Sequence, residues 1–140
     1  MEEILELKEF LKLGDTESAL RLVEDLEELG RKSLERNISC YVKVLLIQLI
    51  KQQIEKRTTK SWERSIRNAI REIKDINARP KKKGNYFSEE EIREIVIDSL
   101  EGAIDTAAWE VEEGIYDYRQ IKGMINNVVI LEAAMTLLGY

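Results

Sequence analysis

The apolar residues of this chain recur with a helical period, and residues that break helices are scarce. The 140 residues include one Pro and seven Gly, and no segment alternates apolar and polar residues as a strand would. With 44% hydrophobic residues, the chain is too apolar for disorder. The sequence therefore predicts an all-α fold, a helical bundle of about five to six helices, in a single domain over residues 1–140.

One predicted helix, at about residues 32–53, is apolar on nearly every side. Between Cys40 and Ile50 its only charged residue is Lys43. A helix without a polar face has to be covered all round, so we expect it at the centre of the bundle or across an interface between two chains. Cys40 is expected there as a small, buried and inert thiol, and one Cys allows no intramolecular disulfide.

Glycines and capping residues divide the remaining chain into further helices. Gly14 and Gly30 predict the ends of two N-terminal helices, at residues 2–12 and from Asp15 or Thr16 to Leu29. Thr58, Thr59 and Ser61 predict the start of another helix, which ends near Asn77. In that helix we expect Ser61 as the cap and Trp62 as the first core residue.

The C-terminal half is predicted to contain two more helices. Ser88 to Glu91 is a capping-box pattern, which predicts a helix from Glu89 to Gly114 with Trp109 packed among small residues. The last helix is expected at about Tyr118 to Leu138. Between the two halves, the proline-containing basic link at residues 78–87 cannot continue a helix.

Charge is distributed in three blocks. Residues 1–30 contain ten acidic and three basic residues. Residues 31–83 contain five acidic and sixteen basic residues, and residues 84–140 contain twelve acidic and three basic residues. A positive middle between negative ends either pairs with them inside the fold, which we favour, or faces an external polyanion.

The basic block contains the candidate binding residues. Four lie on one helix face, and three more lie in the following link: Arg64, Arg67, Arg71, Lys74, Lys81, Lys82 and Lys83. Pairs such as Glu63 with Arg67, or Arg71 with Asp75, would neutralise part of this face, and Glu24 and Glu28 are further possible partners. Nucleic-acid binding is possible but not favoured, because the chain is acidic overall and Trp62 is the only aromatic residue interleaved with the basic residues.

Catalytic chemistry has few candidate residues. The absence of His and the single Cys exclude His-based catalysis, Cys–His nucleophiles and the usual zinc sites. One acidic group has enough carboxylates to hold Mg²⁺, and it comprises Glu24, Asp25, Glu27 and Glu28. We favour the alternative that these side chains form a solvated surface. The sequence therefore predicts no catalytic, cofactor-binding or metal residue.

The N-terminus is acidic, and no segment has the roughly 20 apolar residues that a membrane-spanning helix needs. We therefore expect no signal peptide, no membrane association and a cytoplasmic protein, which agrees with the single thiol.

Three segments together resemble a known family. The segments are residues 22–31, which end in Leu-Gly-Arg, residues 44–51, and the Ser-Trp helix start at residues 61–67. Their order and separation are similar to domain-of-unknown-function family number 29. The resemblance implies an all-α bundle and implies nothing about activity. The family pattern commonly has His and Trp where this chain has Gln48 and Gln52, and the segment at 115–140 is atypical of the family.

These observations favour a non-enzymatic helical protein-interaction module that self-associates and binds a protein partner. We expect a homodimer through the third predicted helix, at about residues 32–53, or through the C-terminal helix. An accessory nucleic-acid-binding protein that uses the basic helix face is the alternative. A carboxylate-metal enzyme is the second alternative.

Overall fold

A computed structural model gives the fold and describes residues 2–140. Six α-helices follow one another along the chain: α1 (Glu2–Lys12), α2 (Thr16–Glu55), α3 (Lys60–Asn77), α4 (Glu89–Glu110), α5 (Tyr118–Met124) and α6 (Asn127–Leu137). A short 3-10 turn, Val111–Gly114, follows α4. The described residues form no strand, and their one isolated β-bridge joins Ala78 to Asn85. The predicted all-α fold is confirmed.

The chain divides into two compact units, one that ends at Glu35 and one that comprises Arg36–Tyr140. Among the described residues of the N-terminal unit, only Ala19 is buried. Nearly all of the hydrophobic core therefore belongs to the second unit. That the chain forms a single domain stays a prediction.

The predicted helix end at Gly30 is wrong, because α2 is one continuous helix of 40 residues. Asp15 caps its start by accepting a hydrogen bond from the Ser18 amide at 3.1 Å. Gly30 has no positive φ, which a glycine that ends a helix usually adopts. Good helix formers flank it, and Lys32 pairs with Glu28 across it at 3.4 Å. These local terms carry the helix past the glycine.

The apolar half of α2 forms the centre of the second unit's core. Its fully buried side chains share one face: Ile38, Val42, Leu45, Leu46 and Ile50. α4 contributes Ile92, Val96 and Ile104, each at 0% exposure. The prediction of an apolar central helix over about residues 32–53 therefore agrees with the buried segment, which forms the C-terminal part of a longer helix.

The prediction that Cys40 is buried is wrong, because its side chain is exposed. Cys40 follows the buried Ile38 by two residues, which is about 200° around a helix. In a segment that is apolar on nearly every side, tertiary packing alone decides which face meets solvent.

The cap of α3 is Thr59, so the assignment to Ser61 is wrong. The Thr59 hydroxyl accepts a hydrogen bond from the Trp62 amide at 3.1 Å. Ser61 lies exposed within the first turn. Trp62 is half-buried and does not enter the core fully.

Thr59→Ala is expected to lower the free energy of unfolding by about 1 kcal/mol, because the first turn loses its side-chain acceptor. Ser61→Ala is the matched control and should be neutral or slightly stabilising, since Ala is the better helix former. Urea unfolding followed by tryptophan fluorescence measures both. Equal losses for the two variants would contradict the assignment of Thr59 as the cap.

The start of α4 is as predicted, with Ser88 as the cap and a complete capping box to Glu91. The predicted end of α4 at Gly114 is wrong, because the helix stops at Glu110, four residues earlier. The single C-terminal helix predicted at Tyr118 to Leu138 is also wrong. Ile125 is extended, and the Asn126 side chain caps α6 by accepting from the Val129 amide at 3.2 Å.

The link between α3 and α4 is a short hairpin with a buried base. Asn77 is 4% exposed, and its Nδ2 donates to the Phe87 carbonyl at 3.3 Å. The Phe87 amide donates back to Asn77 Oδ1 at 2.8 Å, and the Phe87 side chain is buried. Farther out, the Arg79 amide donates to the Gly84 carbonyl at 3.3 Å. The predicted basic link is thus tied down at its base, and its outer residues are exposed.

Candidate functional site

The first candidate surface is the basic face of α3, which comprises Arg64, Arg67, Arg71 and Lys74. All four side chains are exposed. The predicted pairs of Glu63 with Arg67 and of Arg71 with Asp75 are not formed, and within residues 36–140 none of the four cations has an ion-pair partner. Arg71 donates to Asn68 Oδ1 at 2.9 Å. Its charge is therefore not neutralised within the second unit.

The second candidate surface is the basic tip of the hairpin, which comprises Arg79, Lys81, Lys82 and Lys83. These side chains are exposed, and within residues 36–140 they too have no ion-pair partner. The predicted link residues therefore form a separate patch at the end of α3. Proximity of the basic face to Glu24 and Glu28 stays a prediction.

The third surface was not predicted, and we call it the aromatic cup. It is an open concavity of about 460 Å³ at the C-terminal end of α4. The lining residues that matter here are Asp105, Trp109, Ile115, Tyr116, Asp117 and Tyr118. Trp109 is 78% exposed and Ile115 is 68% exposed. Two large apolar side chains thus stand in solvent around one cavity.

The prediction that Trp109 packs in the core is therefore wrong. It rested on the small neighbours Ala107 and Ala108, both of which are buried. Trp109 follows Ala107 by two residues, about 200° around the helix, and so lies opposite the buried stripe. The angular position of Trp109 was the sequence signal that could have revealed its exposure.

A tight turn after α4 builds the cup. Glu112, Glu113 and Gly114 all have positive φ, which reverses the chain and brings Ile115 to the same cavity as Trp109. At Gly114, where φ is +80°, a Cβ atom would lie 3.0 Å from the Trp109 carbonyl oxygen. Only glycine fits this position without strain.

Gly114→Ala is expected to cost about 1.5 kcal/mol of unfolding free energy, because Ala meets both the unfavourable φ and the Trp109 carbonyl. The Trp109 emission spectrum, recorded in a Trp62→Phe background, should shift as the turn moves. Gly123→Ala is the control, because a Cβ atom there meets nothing within 4 Å. An unchanged stability in Gly114→Ala would contradict this geometry.

The aromatic cup is acidic. Asp105 is exposed, while Asp117 caps α5 by accepting from the Gln120 amide at 2.9 Å. Among the residues that the structure describes, no Lys or Arg lines the cavity. The nearby Lys122 lies 5.6 Å from the Tyr118 ring centre and 3.3 Å from Glu101. The cup therefore offers aromatic surface and negative charge together.

Trp62, the other tryptophan, already has cations beside its ring. The Arg57 guanidinium lies 4.8 Å from the ring centre, and Lys51 Nζ lies 5.6 Å from it. Lys51 Nζ also pairs with Glu110 Oε1 at 2.6 Å, which ties α2 to the end of α4. Stacking of a nucleic-acid base on Trp62 would have to displace Arg57.

The two glutamines at the family's His and Trp positions differ in environment. Gln52 Nε2 donates to Thr58 Oγ1 at 2.8 Å. Gln48 is half-buried, and its Oε1 has no hydrogen-bond partner among the described residues. Neither side chain belongs to the three candidate surfaces.

The acidic group of α2 does not form a metal site in the part of the chain described. Glu24, Asp25, Glu27 and Glu28 are exposed, and Glu28 is paired with Lys32. Across residues 2–140, no three His, Cys, Asp or Glu side chains come together in a way that could hold a metal ion. Over the same residues, no helix combines the length and apolar character needed to cross a membrane.

Comparison with known proteins finds one family. The family model described as Domain of unknown function DUF29 matches residues 6–121, from within α1 into α5, and so leaves α6 outside the match. No curated protein and no solved structure matches the chain.

Proposed function

Because this chain belongs to the family Domain of unknown function DUF29, whose description assigns no activity, we propose a function from its own surfaces. The chain is a non-enzymatic, cytoplasmic protein-interaction module that self-associates, and its contact surface is the aromatic cup. The single thiol and the absence of His support the location and the lack of catalysis.

The exposure of Trp109 and Ile115 carries this proposal. Tryptophan is enriched among the residues that dominate binding energy at protein interfaces, because a large amphipathic ring gains most when a partner covers it. Trp109 is 78% exposed beside an open cavity, so a partner that covers its ring would gain this binding energy. Covering Trp109 and Ile115 would also remove apolar surface from water.

Other interfaces have weaker support. The apolar part of α2, the predicted third helix, is buried within its own unit, so it no longer needs a partner chain. The C-terminal helices do expose Met124, Val128, Val129 and Leu137. However, Glu132 lies among these exposed residues of α6 and forms an ion pair with Arg93 at 2.6 Å, so this surface is interrupted by charge. The cup also includes part of the predicted C-terminal segment, through Ile115, Tyr116 and Tyr118.

Sedimentation velocity tests the proposal between about 1 and about 500 µM protein. The wild type is expected to shift to larger species as its concentration rises, and Trp109→Ser should weaken association at least about tenfold. Leu13→Ser is the matched control, because Leu13 is 76% exposed but lies in the N-terminal unit. Val128→Ser tests the C-terminal helix. A wild type that stays monomeric throughout would overturn the proposal.

We propose nucleic-acid binding by the basic face as a second function. The four basic side chains of this face are exposed and have no ion pairs in their own unit: Arg64, Arg67, Arg71 and Lys74. Such binding would be non-specific and would weaken steeply with salt, because each phosphate contact releases counterions.

Fluorescence anisotropy with single-stranded RNA, single-stranded DNA and duplex DNA tests this second function at low and near-physiological salt. The variant Arg64→Glu/Arg67→Glu/Arg71→Glu should lose binding. The variant Lys8→Glu/Lys12→Glu/Arg21→Glu changes net charge equally on the exposed N-terminal unit and should retain it. No binding by the wild type at low salt would exclude this function.

A further inference from the structure

The aromatic cup and the basic tip lie at opposite ends of α4. The hairpin leads directly into α4 at Glu89, while Asp105 and Trp109 lie in its last turns. Twenty residues separate Glu89 from Trp109, which corresponds to about 30 Å along a helix. The two surfaces are therefore carried by one rigid element and are far apart.

The basic tip cannot cover this distance within its own chain. Its base is fixed by the hydrogen bonds between Asn77 and Phe87, and the Arg79–Gly84 hydrogen bond closes it again farther out. Four residues remain beyond that closure. At about 3.5 Å per extended residue, a chain that must run out and return projects less than about 10 Å past it. Any contact between tip and cup must therefore join two molecules.

The tip and the cup are complementary in charge and chemistry. The tip presents Lys81, Lys82 and Lys83 without ion pairs in their own unit. The cup presents Asp105 and the largely uncovered ring of Trp109. A Lys or Arg cation is attracted both to a carboxylate and to the face of an indole ring, and Trp is the strongest aromatic partner for cations.

We propose that the aromatic cup of one copy of this chain receives the basic hairpin tip of a second copy. This inference rests on the proposed self-association and names its occupant. The contact is heterologous, because two different surfaces meet, and each copy retains one unused cup and one unused tip. Association therefore grows head to tail instead of ending at a symmetric dimer.

A mixing experiment tests the pairing. Trp109→Ser removes the cup, and Lys81→Glu/Lys82→Glu/Lys83→Glu removes the tip, so each variant alone should sediment as a monomer. A 1:1 mixture should form a dimer and stop there, because one intact cup meets one intact tip. Lys8→Glu/Lys12→Glu/Arg21→Glu controls for net charge and should associate like the wild type. Circular dichroism checks that every variant is folded.

Salt gives a second readout of the same contact. Raising NaCl from about 50 to about 500 mM should weaken wild-type association about tenfold, because exposed charges are screened. An association that strengthens with salt would be apolar and would overturn the pairing.

The outcomes separate this inference from the proposed function. A tip variant that associates like the wild type, while Trp109→Ser does not, overturns the tip as occupant and leaves self-association intact. A monomeric wild type overturns the proposed function. The pairing is then overturned as well, because it requires a second copy of the chain.

Discussion

Leu45→Ala is expected to lower the free energy of unfolding of the second unit by about 3 kcal/mol. Leu45 is at 0% exposure, on the face of α2 that forms the centre of the core. Truncating a buried Leu forfeits its transfer free energy and leaves a cavity that the surroundings fill only in part. Urea unfolding followed by tryptophan fluorescence reports on this unit, because both Trp62 and Trp109 belong to it.

The neighbouring Val44 provides the control. It lies on the same helix but is 38% exposed, so Val44→Ala should cost less than about 1 kcal/mol. The difference between adjacent positions measures which side of an apolar segment faces the core. Equal costs at the two positions would show that the buried face of α2 is assigned incorrectly.

Asn77→Ala should cost a similar amount, about 3 kcal/mol, although no large apolar group is lost. The substitution removes the two hydrogen bonds that join the buried side chain of Asn77 to the backbone of Phe87. Losing a buried hydrogen-bond partner costs about 1 to 3 kcal/mol. The hairpin base should loosen, and thermal unfolding followed by circular dichroism should show a lower midpoint.

Asn68→Ala is the matched control for Asn77. Asn68 is an exposed residue of the same helix, and its side chain accepts a hydrogen bond from Arg71. Its replacement should be neutral or slightly stabilising, because Ala is the better helix former. A loss in Asn68→Ala as large as that in Asn77→Ala would mean that helix propensity, and not the hairpin base, determines the effect.

Features written in a few adjacent residues could be predicted from the sequence. The capping box from Ser88 to Glu91 fixed the start of α4 because its two hydrogen bonds are local. α1 was predicted at residues 2–12, as observed. The apolar character of residues 40–50 likewise indicated a helix that is covered on most sides, either in the core or between two chains, and the structure buries it in the core of its own unit.

Features decided by competition or by tertiary packing could not be predicted in this way. Gly30 could have ended the helix by adopting a positive φ, and the helix formers on both sides outweighed that option. The break at Ile125 required the Asn126 cap to outweigh continuation of the helix. The exposure of Cys40 depended on which face of α2 the other helices cover.

The candidate site shows the same division. The basic face of α3 followed from residue spacing alone, and the structure leaves it exposed as a continuous group. The cup combines the last turns of α4, a turn with three positive φ angles, and the start of α5. The conformation of Glu112 and Glu113 has no clear sequence signature, since non-glycine residues seldom adopt positive φ. The cup therefore could not be predicted from the sequence.

The continuous helix α2 has an energetic consequence for the whole chain. From Glu27 to Asn37 none of its residues is buried, and only Leu34 is even half-covered. The backbone there is held by helix propensity and by side-chain pairs such as Glu28 with Lys32, terms of a few tenths of a kcal/mol each. Local unfolding of this segment therefore exposes no fully buried side chain. Amide hydrogen exchange in the segment should therefore proceed by local opening, independently of the global unfolding of either unit.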